Sequence, residues 1–272
     1  MARASSFADG IAFREDGPGD GPVALLVHGY PESSYMWRGV MPAVAQAGWR
    51  AIAADLPGFG DSPADPPGTW ERQVEAIERL RSGLELGPVA LVVHDWGGLI
   101  GLRWACDNPG AVRALAISST GFFADGRWHG MAQALRTEGQ GEELVEEMTR
   151  DAFAAMMRQV SSGIDAEAVD EYWKAFGDPD RRRGQLELYR SGDFEKLRSY
   201  DGCLAELGVP TKVIWGEADP FAPVAGAHRL HAEIPGSELV VIEGAGHFVV
   251  EDAPERYSTE LAGFLGVVAA AP

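Results

Sequence analysis

Cysteine is nearly absent from this chain. Two residues in 272, Cys106 and Cys203, stand far apart. That pattern offers neither a disulfide framework nor the short spacing of a zinc site. Cys106 falls in an apolar helical stretch and is expected as a small core residue. Basic residues are also scarce: 23 Lys and Arg face 41 Asp and Glu, for a net charge of -18. Such a surface repels nucleic acid and anionic membrane at long range, so neither is expected as a partner. Long apolar runs are missing, and nothing approaches the roughly 18 residues of a spanning helix. The opening residues, up to Gly10, contain no apolar stretch, so no signal peptide is read there and a cytoplasmic location is the expectation. The oligomeric state is left open.

What is present is a rhythm. Residues 23–27 form a continuous apolar run that ends in His28 and Gly29. Runs without polar alternation mark strands buried on both faces of a parallel sheet. The same pattern recurs at 51–54, 89–93, 112–117, 212–215 and 239–242. Helical stretches are expected between them, at 37–47, 70–83, 97–106, 225–234 and 254–264. A short hairpin around Asp9 and Gly10 precedes the first run. Strands alternating with helices predict an α/β chain with a mainly parallel, doubly wound sheet.

The alternation stops between Gly121 and Tyr200. That stretch shows helical periodicity only, with expected helices at 142–160, 166–176 and 181–189. Lying between two sheet strands, it predicts a helical cap at 121–200, inserted into a core formed by 1–120 and 201–272. The alternative is that these helices merely extend the core.

The chemistry gathers at strand ends. Residues 91–94 run into Asp95, and a glycine-rich helix begins at once with Trp96, Gly97 and Gly98. This is the strand-turn-helix setting of a nucleophile elbow, which lifts one side chain to the edge where doubly wound sheets bind ligands. Taken alone, Asp95 could equally be a helix cap. Three further features argue otherwise. His28, Gly29, Tyr30 and Pro31 follow the first buried strand, so the Tyr30 and Trp96 amides can aim at one oxyanion. Asp219 stands just past the strand at 212–215, and His247 stands past the last strand. Nucleophile, acid, histidine is the chain order of a hydrolase triad, with Asp219 orienting His247 and His247 activating water.

These motifs resemble the epoxide hydrolase and haloalkane dehalogenase branch of the α/β-hydrolase superfamily. The resemblance spans nearly the whole chain. It rests on His28–Pro31, on the segment 55–62 (Asp55 to Ser62), on 94–98 with Asp95 where serine esterases carry serine, on 215–219 and on Gly246 with His247. It implies an α/β-hydrolase fold with a cap, and a two-step reaction without cofactor or metal. The aspartate carboxylate alkylates on an sp³ carbon, and water activated by the histidine hydrolyses the ester.

The leaving group separates two activities. Epoxide hydrolases resembling this chain have an aromatic residue at Tyr30 and a cap tyrosine as ring-opening acid, a place that Tyr189 with Arg190 fits. His129 is a looser match to a second acid. This makes an apolar epoxide, opened to a diol, the favoured substrate. Haloalkane dehalogenases are matched equally well at Asp95 and Trp96. Their usual second halide donor is asparagine where Tyr30 stands, or a cap tryptophan, for which Trp128 and Trp173 are candidates. Trp128, Phe122, Trp173 and Phe248 are expected to line an apolar pocket, together with Phe123, Met131, Met156 and Met157. A ligand receptor on a hydrolase scaffold is the reading from another class.

Overall fold

The computed structural model describes residues 5–270. The first four residues, part of the stretch in which no signal peptide is read, lie outside the described residues, as do the last two. Eight strands form one sheet: β1 (Ser6–Ala8), β2 (Ile11–Asp16), β3 (Val23–Val27), β4 (Arg50–Ala54), β5 (Val89–His94), β6 (Val112–Ser118), β7 (Thr211–Gly216) and β8 (Glu238–Ile242). Their order is β1-β2-β4-β3-β5-β6-β7-β8. The first two pairings are antiparallel, and every pairing from β4 to β8 is parallel. Every residue of β5 and β7 is buried, which is why these strands read as unbroken apolar runs. The hairpin turns at Asp9 and Gly10, both with positive φ, as its sequence predicts.

Several helices differ from expectation for local reasons. The single helix expected at 37–47 is a 3₁₀ turn, Ser34–Gly39, followed by a helix Met41–Gln46. Pro42 has no N–H to give and fits only in a first helical turn. The helix expected across 142–160 is two, Gln140–Glu147 and Arg150–Val160. Thr149 divides them because its hydroxyl accepts from the Ala152 amide at 3.2 Å and so caps the second.

The cysteine expectation fails as well. Cys106 and Cys203 are joined in a disulfide, with Cα atoms 6.0 Å apart across a sequence separation of 97. The bridge ties the end of the helix Trp96–Asp107 to the short helix Cys203–Glu206. Spacing along the chain carries no information about that approach, which only the packing of the two helices creates. Cys106 is thus a half-buried bridge rather than a small core residue.

Between residues 121 and 200 the chain forms five α-helices: Gly130–Arg136, Gln140–Glu147, Arg150–Val160, Ala166–Trp173 and Pro179–Ser191. The last is fastened to the strand-bearing region. Glu187 accepts from the Gly68 amide at 2.6 Å, and the Ser191 hydroxyl accepts from the Trp70 amide at 2.8 Å. Gly68 and Gly184 touch backbone to backbone, where a Cβ on Gly68 would lie 2.6 Å from the Gly184 Cα. Among the described residues no helix is long and apolar enough to cross a membrane.

Candidate active site

The elbow is built by backbone crowding. Asp95 has φ 50° and ψ -120°, a conformation that side-chain-bearing residues rarely adopt. Three contacts hold it there. Its amide donates to the Ser118 carbonyl at 3.2 Å, the Thr120 hydroxyl donates to its carbonyl at 2.7 Å, and Gly98 N–H closes the turn onto the same carbonyl at 2.8 Å. Glycine is required where chains cross. A Cβ on Gly97 would stand 2.4 Å from the Val27 carbonyl oxygen, and one on Gly29 would stand 2.5 Å from the Asp95 Cβ.

Asp95 opens the helix Trp96–Asp107 without making a side-chain cap. Its carboxylate turns instead to the site. Oδ1 accepts from the Tyr30 amide at 2.8 Å, and Oδ2 lies 3.4 Å from His247 Nε2. The Trp96 amide heads the same helix, where no carbonyl a turn behind can accept from it. His247 Nδ1 lies 3.0 Å from both oxygens of Asp219. Asp219 Oδ1 also accepts from the Phe221 and Ala222 amides at 2.9 and 2.8 Å, so the turn after β7 locks the carboxylate in place. Asp95, Asp219 and His247, spread over more than 150 residues of sequence, are thereby brought into one hydrogen-bonded line.

Electrostatics follows from that line. Burial alone would raise the Asp95 carboxyl, but His247 and the Tyr30 amide outweigh it and hold it down to about 2. Burial would lower His247, yet Asp219 and Asp95 raise it to about 10. Both shifts favour an imidazolium beside the Asp95 carboxylate at rest.

The loop motifs turn out to be scaffolding. His28 is fully buried and its pKa is lowered to about 4 by burial, so it is neutral. One of its nitrogens lies 2.7 Å from the Gly29 carbonyl, and the other accepts from the Leu56 amide at 2.9 Å. Asp55 accepts from the Ser34 and Asp61 amides. Gly60, with φ 49°, packs where a Cβ would strike the Asp55 carboxylate at 2.3 Å. These contacts shape the loop that carries Tyr30.

A cavity of about 290 Å³ opens above Asp95, and an adjoining one of about 40 Å³ shares Asp95, His129, Tyr189, Phe221 and His247 with it. Tyr189 and His129 therefore both face the candidate nucleophile's cavity. The Tyr189 hydroxyl is pushed upward by burial, by Asp95 and by Tyr30. His129 is lowered by burial, and its Nδ1 accepts from the Ala132 amide at 3.4 Å as a helix cap. Tyr30 reaches up to donate to Gln185 Oε1 at 2.8 Å, and its ring stands edge-on to Tyr189.

The tryptophans divide sharply. Trp96 is fully buried and its indole N–H has no hydrogen-bond partner. The Tyr189 hydroxyl lies close by, but not with the geometry of a hydrogen bond. Trp128 lines the cavity and stacks on Trp96, but its N–H is spent on the Gly192 carbonyl at 3.3 Å. Trp173 does not reach the site: it stacks on Phe176 at 5.0 Å and packs against Phe153. Phe122 also misses it, packing on Tyr200 in a separate cavity. Their helix and loop positions were legible, but the direction of each ring was set by neighbours far along the chain. Phe248, Met131, Met156 and Met157 line the smaller cavity, and Phe123 lines the larger.

Three residues escape a sequence reading. Phe221 lines both cavities and stands edge-on to His247. Its place two residues after Asp219 was the available signal. Glu32 and His94 form a fully buried pair, Oε2 to Nε2 3.3 Å, beside the His247 ring. Burial and Glu251 raise the Glu32 carboxyl well above its ordinary value, while burial and His247 lower His94 to about 3. Among the described residues no group of three or more His, Cys, Asp and Glu could hold a metal ion.

Comparisons with known proteins agree with this geometry. Residues 22–254 match the family model described as the alpha/beta hydrolase fold. The chain is similar to the haloalkane dehalogenase of Sphingobium indicum, with 33% identity over 94% of this chain and 91% of that protein. It is 28% identical to the haloalkane dehalogenase of Psychrobacter cryohalolentis, over 94% and 87% of the two chains. It is also 27% identical to a cis-3-alkyl-4-alkyloxetan-2-one decarboxylase of Xanthomonas campestris, over 94% and 92%. The crystal structure of haloalkane dehalogenase DbeA from Bradyrhizobium elkani superimposes with a TM-score of 0.84 at 26% identity, covering 99% of each chain. An elbow aspartate, an oriented histidine and these likenesses along almost the full length lead to one assignment: the chain belongs to the α/β-hydrolase fold family, in its haloalkane dehalogenase branch.

Proposed function

We propose that this hydrolase displaces halide from small apolar haloalkanes through a covalent ester on Asp95, with residues 121–200 acting as the cap over the site. The observation that carries the reading is the buried indole N–H of Trp96, a donor without a partner on a residue that lines the same cavity as Asp95, whose carboxyl is held ionised. Leaving such a donor unpaired is costly unless an anion fills the space during the reaction. The dehalogenase relatives favour the same leaving group.

Each atom then has a task. Asp95 Oδ2 attacks the carbon, the carbon–halogen bond breaks, and the halide leaves toward Trp96 Nε1–H. Oδ1, already bonded to the Tyr30 amide, becomes the ester carbonyl oxygen. Alkylation removes one of the two anions that hold the proton on His247, so its pKa falls and it becomes a base. His247 Nε2 takes a proton from water, hydroxide adds to the Asp95 carbonyl, and the Tyr30 and Trp96 amides hold the oxyanion. Collapse expels the alkoxide, which His247 protonates, and the acid left on Asp95 passes its proton to His247, restoring the carboxylate and the imidazolium; the proton that His247 shed to solvent on becoming a base is the one released overall. The net change is haloalkane and water to alcohol, halide and a proton.

Epoxide opening, favoured from the sequence, keeps one supporting observation: Tyr189 lines both cavities that also hold Asp95. A panel of bromoalkanes and terminal epoxides, read as halide and as diol, separates the two. Trp96→Phe is expected to cut halide release on the order of 10²-fold. Tyr189→Phe is expected to lower diol formation relative to halide release by a similar order. Diol without halide from the wild type would transfer the assignment to epoxides. A single turnover with retained product would favour the ligand-receptor reading.

A further inference from the structure

A second cavity, about 320 Å³, lies beside the active-site cavity and belongs to no part of the reaction described above. It is walled by Phe122 and Tyr200, by the residues after the disulfide such as Leu204, and by the helix Ala225–Glu233. That helix borders both spaces. Ala225 and Gly226 face the active-site cavity, while Leu230 and Glu233 face the second. Among the described residues Phe123 alone lines both cavities. The Phe123 side chain therefore stands between them at this point.

The ring is held in place from the far side. The Arg229 guanidinium lies 3.9 Å from the Phe123 ring centre. Asp125 and Glu233 in turn hold Arg229 at 2.6 and 2.8 Å. The backbone around Phe123 belongs to no helix or strand, and the Gly126 amide bonding to its carbonyl closes a turn there. Position 123 is therefore set by side-chain contacts more than by its backbone.

We infer that Phe123 is a partition that sets the length limit of the substrate's apolar chain, and that the second cavity is latent room for a longer tail. The inference rests on the dehalogenase reading of the Asp95 cavity. Leu99, Thr120 and Phe123 line the cavity that holds Asp95, and across Phe123 the second cavity is mixed, with Phe122, Leu204 and Leu230 beside Asp201, Arg229 and Glu233. Removing the ring joins the two spaces without touching Asp95, Trp96 or His247.

The experiment compares wild type with Phe123→Ala on 1-bromoalkanes of rising length, read as halide. Phe123→Ala is expected to raise the kcat/KM ratio of long to short substrates on the order of tenfold or more, mainly through KM. Arg229→Met, which frees the ring but keeps it, is expected to give a smaller shift in the same direction. Binding of long- and short-chain primary alcohols, followed by fluorescence of the cavity tryptophans Trp96 and Trp128, supplies a readout independent of turnover. If no variant releases halide yet Phe123→Ala still tightens long-chain alcohol selectively, the partition stands and the dehalogenase reading falls. An unchanged length profile in both assays overturns the partition. Should Phe123→Ala fail to fold by circular dichroism, Phe123→Leu replaces it, and equal profiles for Leu and Phe count against the inference.

Discussion

The elbow around Asp95 and the helical segment at 121–200 are held by different kinds of contact. At the elbow, main chain meets main chain: Gly97 lies against the carbonyls of Val27 and His28, and Gly29 against Asp95 itself. In the helical segment, long side chains reach to carbonyls and carboxylates. Arg181 donates to the Gly60 carbonyl at 2.9 Å, Arg190 pairs with Glu142 at 2.7 Å, and Arg150 pairs with Asp170. Backbone crossings admit glycine and little else, so they leave motifs in the sequence. Side-chain struts can be replaced by many other residues and leave none. The comparison teaches where function is sensitive: geometry in the elbow, fit in the helical segment.

The largest effect is expected from His247→Gln. Alkylation continues because Asp95 needs no base, whereas ester hydrolysis stops, lowering turnover on the order of 10³-fold or more. Mass spectrometry should find the substrate's alkyl group on Asp95, and full turnover without an adduct would contradict the mechanism. The wild-type pH profile sharpens this. The Asp95 carboxyl is depressed to about 2, so the halide burst should be flat from about pH 5 to 9. Hydrolysis needs His247 neutral, so its rate should fall as pH drops through the value His247 adopts once Asp95 is esterified. A burst that weakens in parallel would show that Asp95, not His247, is titrating.

Gly97→Ala should come next. Its Cβ meets two backbone carbonyl oxygens, at 2.4 and 2.5 Å, and neither can yield cheaply. A loss of about 1–3 kcal/mol in stability is expected, together with a loss of burst amplitude as Asp95 shifts. An unchanged melting temperature and burst would mean that the crossing is looser than its geometry. The smallest effect is expected from Trp173→Phe. Trp173 stacks on Phe176 away from both cavities, so the change should cost about 1 kcal/mol or less and leave kcat/KM alone. A drop in kcat/KM with the fold intact would return Trp173 to the site and blur the contrast between the two regions.

Much of the core was legible because its signals are local. Buried strands read as apolar runs, and Asp95 announced itself by the glycines that follow, whereas the helix start capped by Thr149 was missed inside one long helical stretch. The order of strands was not written in the same way. β3 lies between β4 and β5, an arrangement set by crossover connections rather than by any residue. Chain order alone suggested Asp219 beside His247, but the lock on Asp219 from the amides of Phe221 and Ala222 needed the folded turn.

By itself, then, the sequence determined the α/β alternation, the elbow, and the set of groups at the strand ends, because each depends on a few consecutive residues and their backbone freedom. Tertiary structure alone decided which side chains meet. It turned the Trp128 N–H onto Gly192 and left that of Trp96 free, sent Trp173 into a stack with Phe176, and bridged Cys106 to Cys203. It also buried Glu32 against His94 and stood Phe123 between two cavities. Those outcomes depend on distances between elements that are remote in the chain, and a ring or an N–H takes its direction from whatever packs against it.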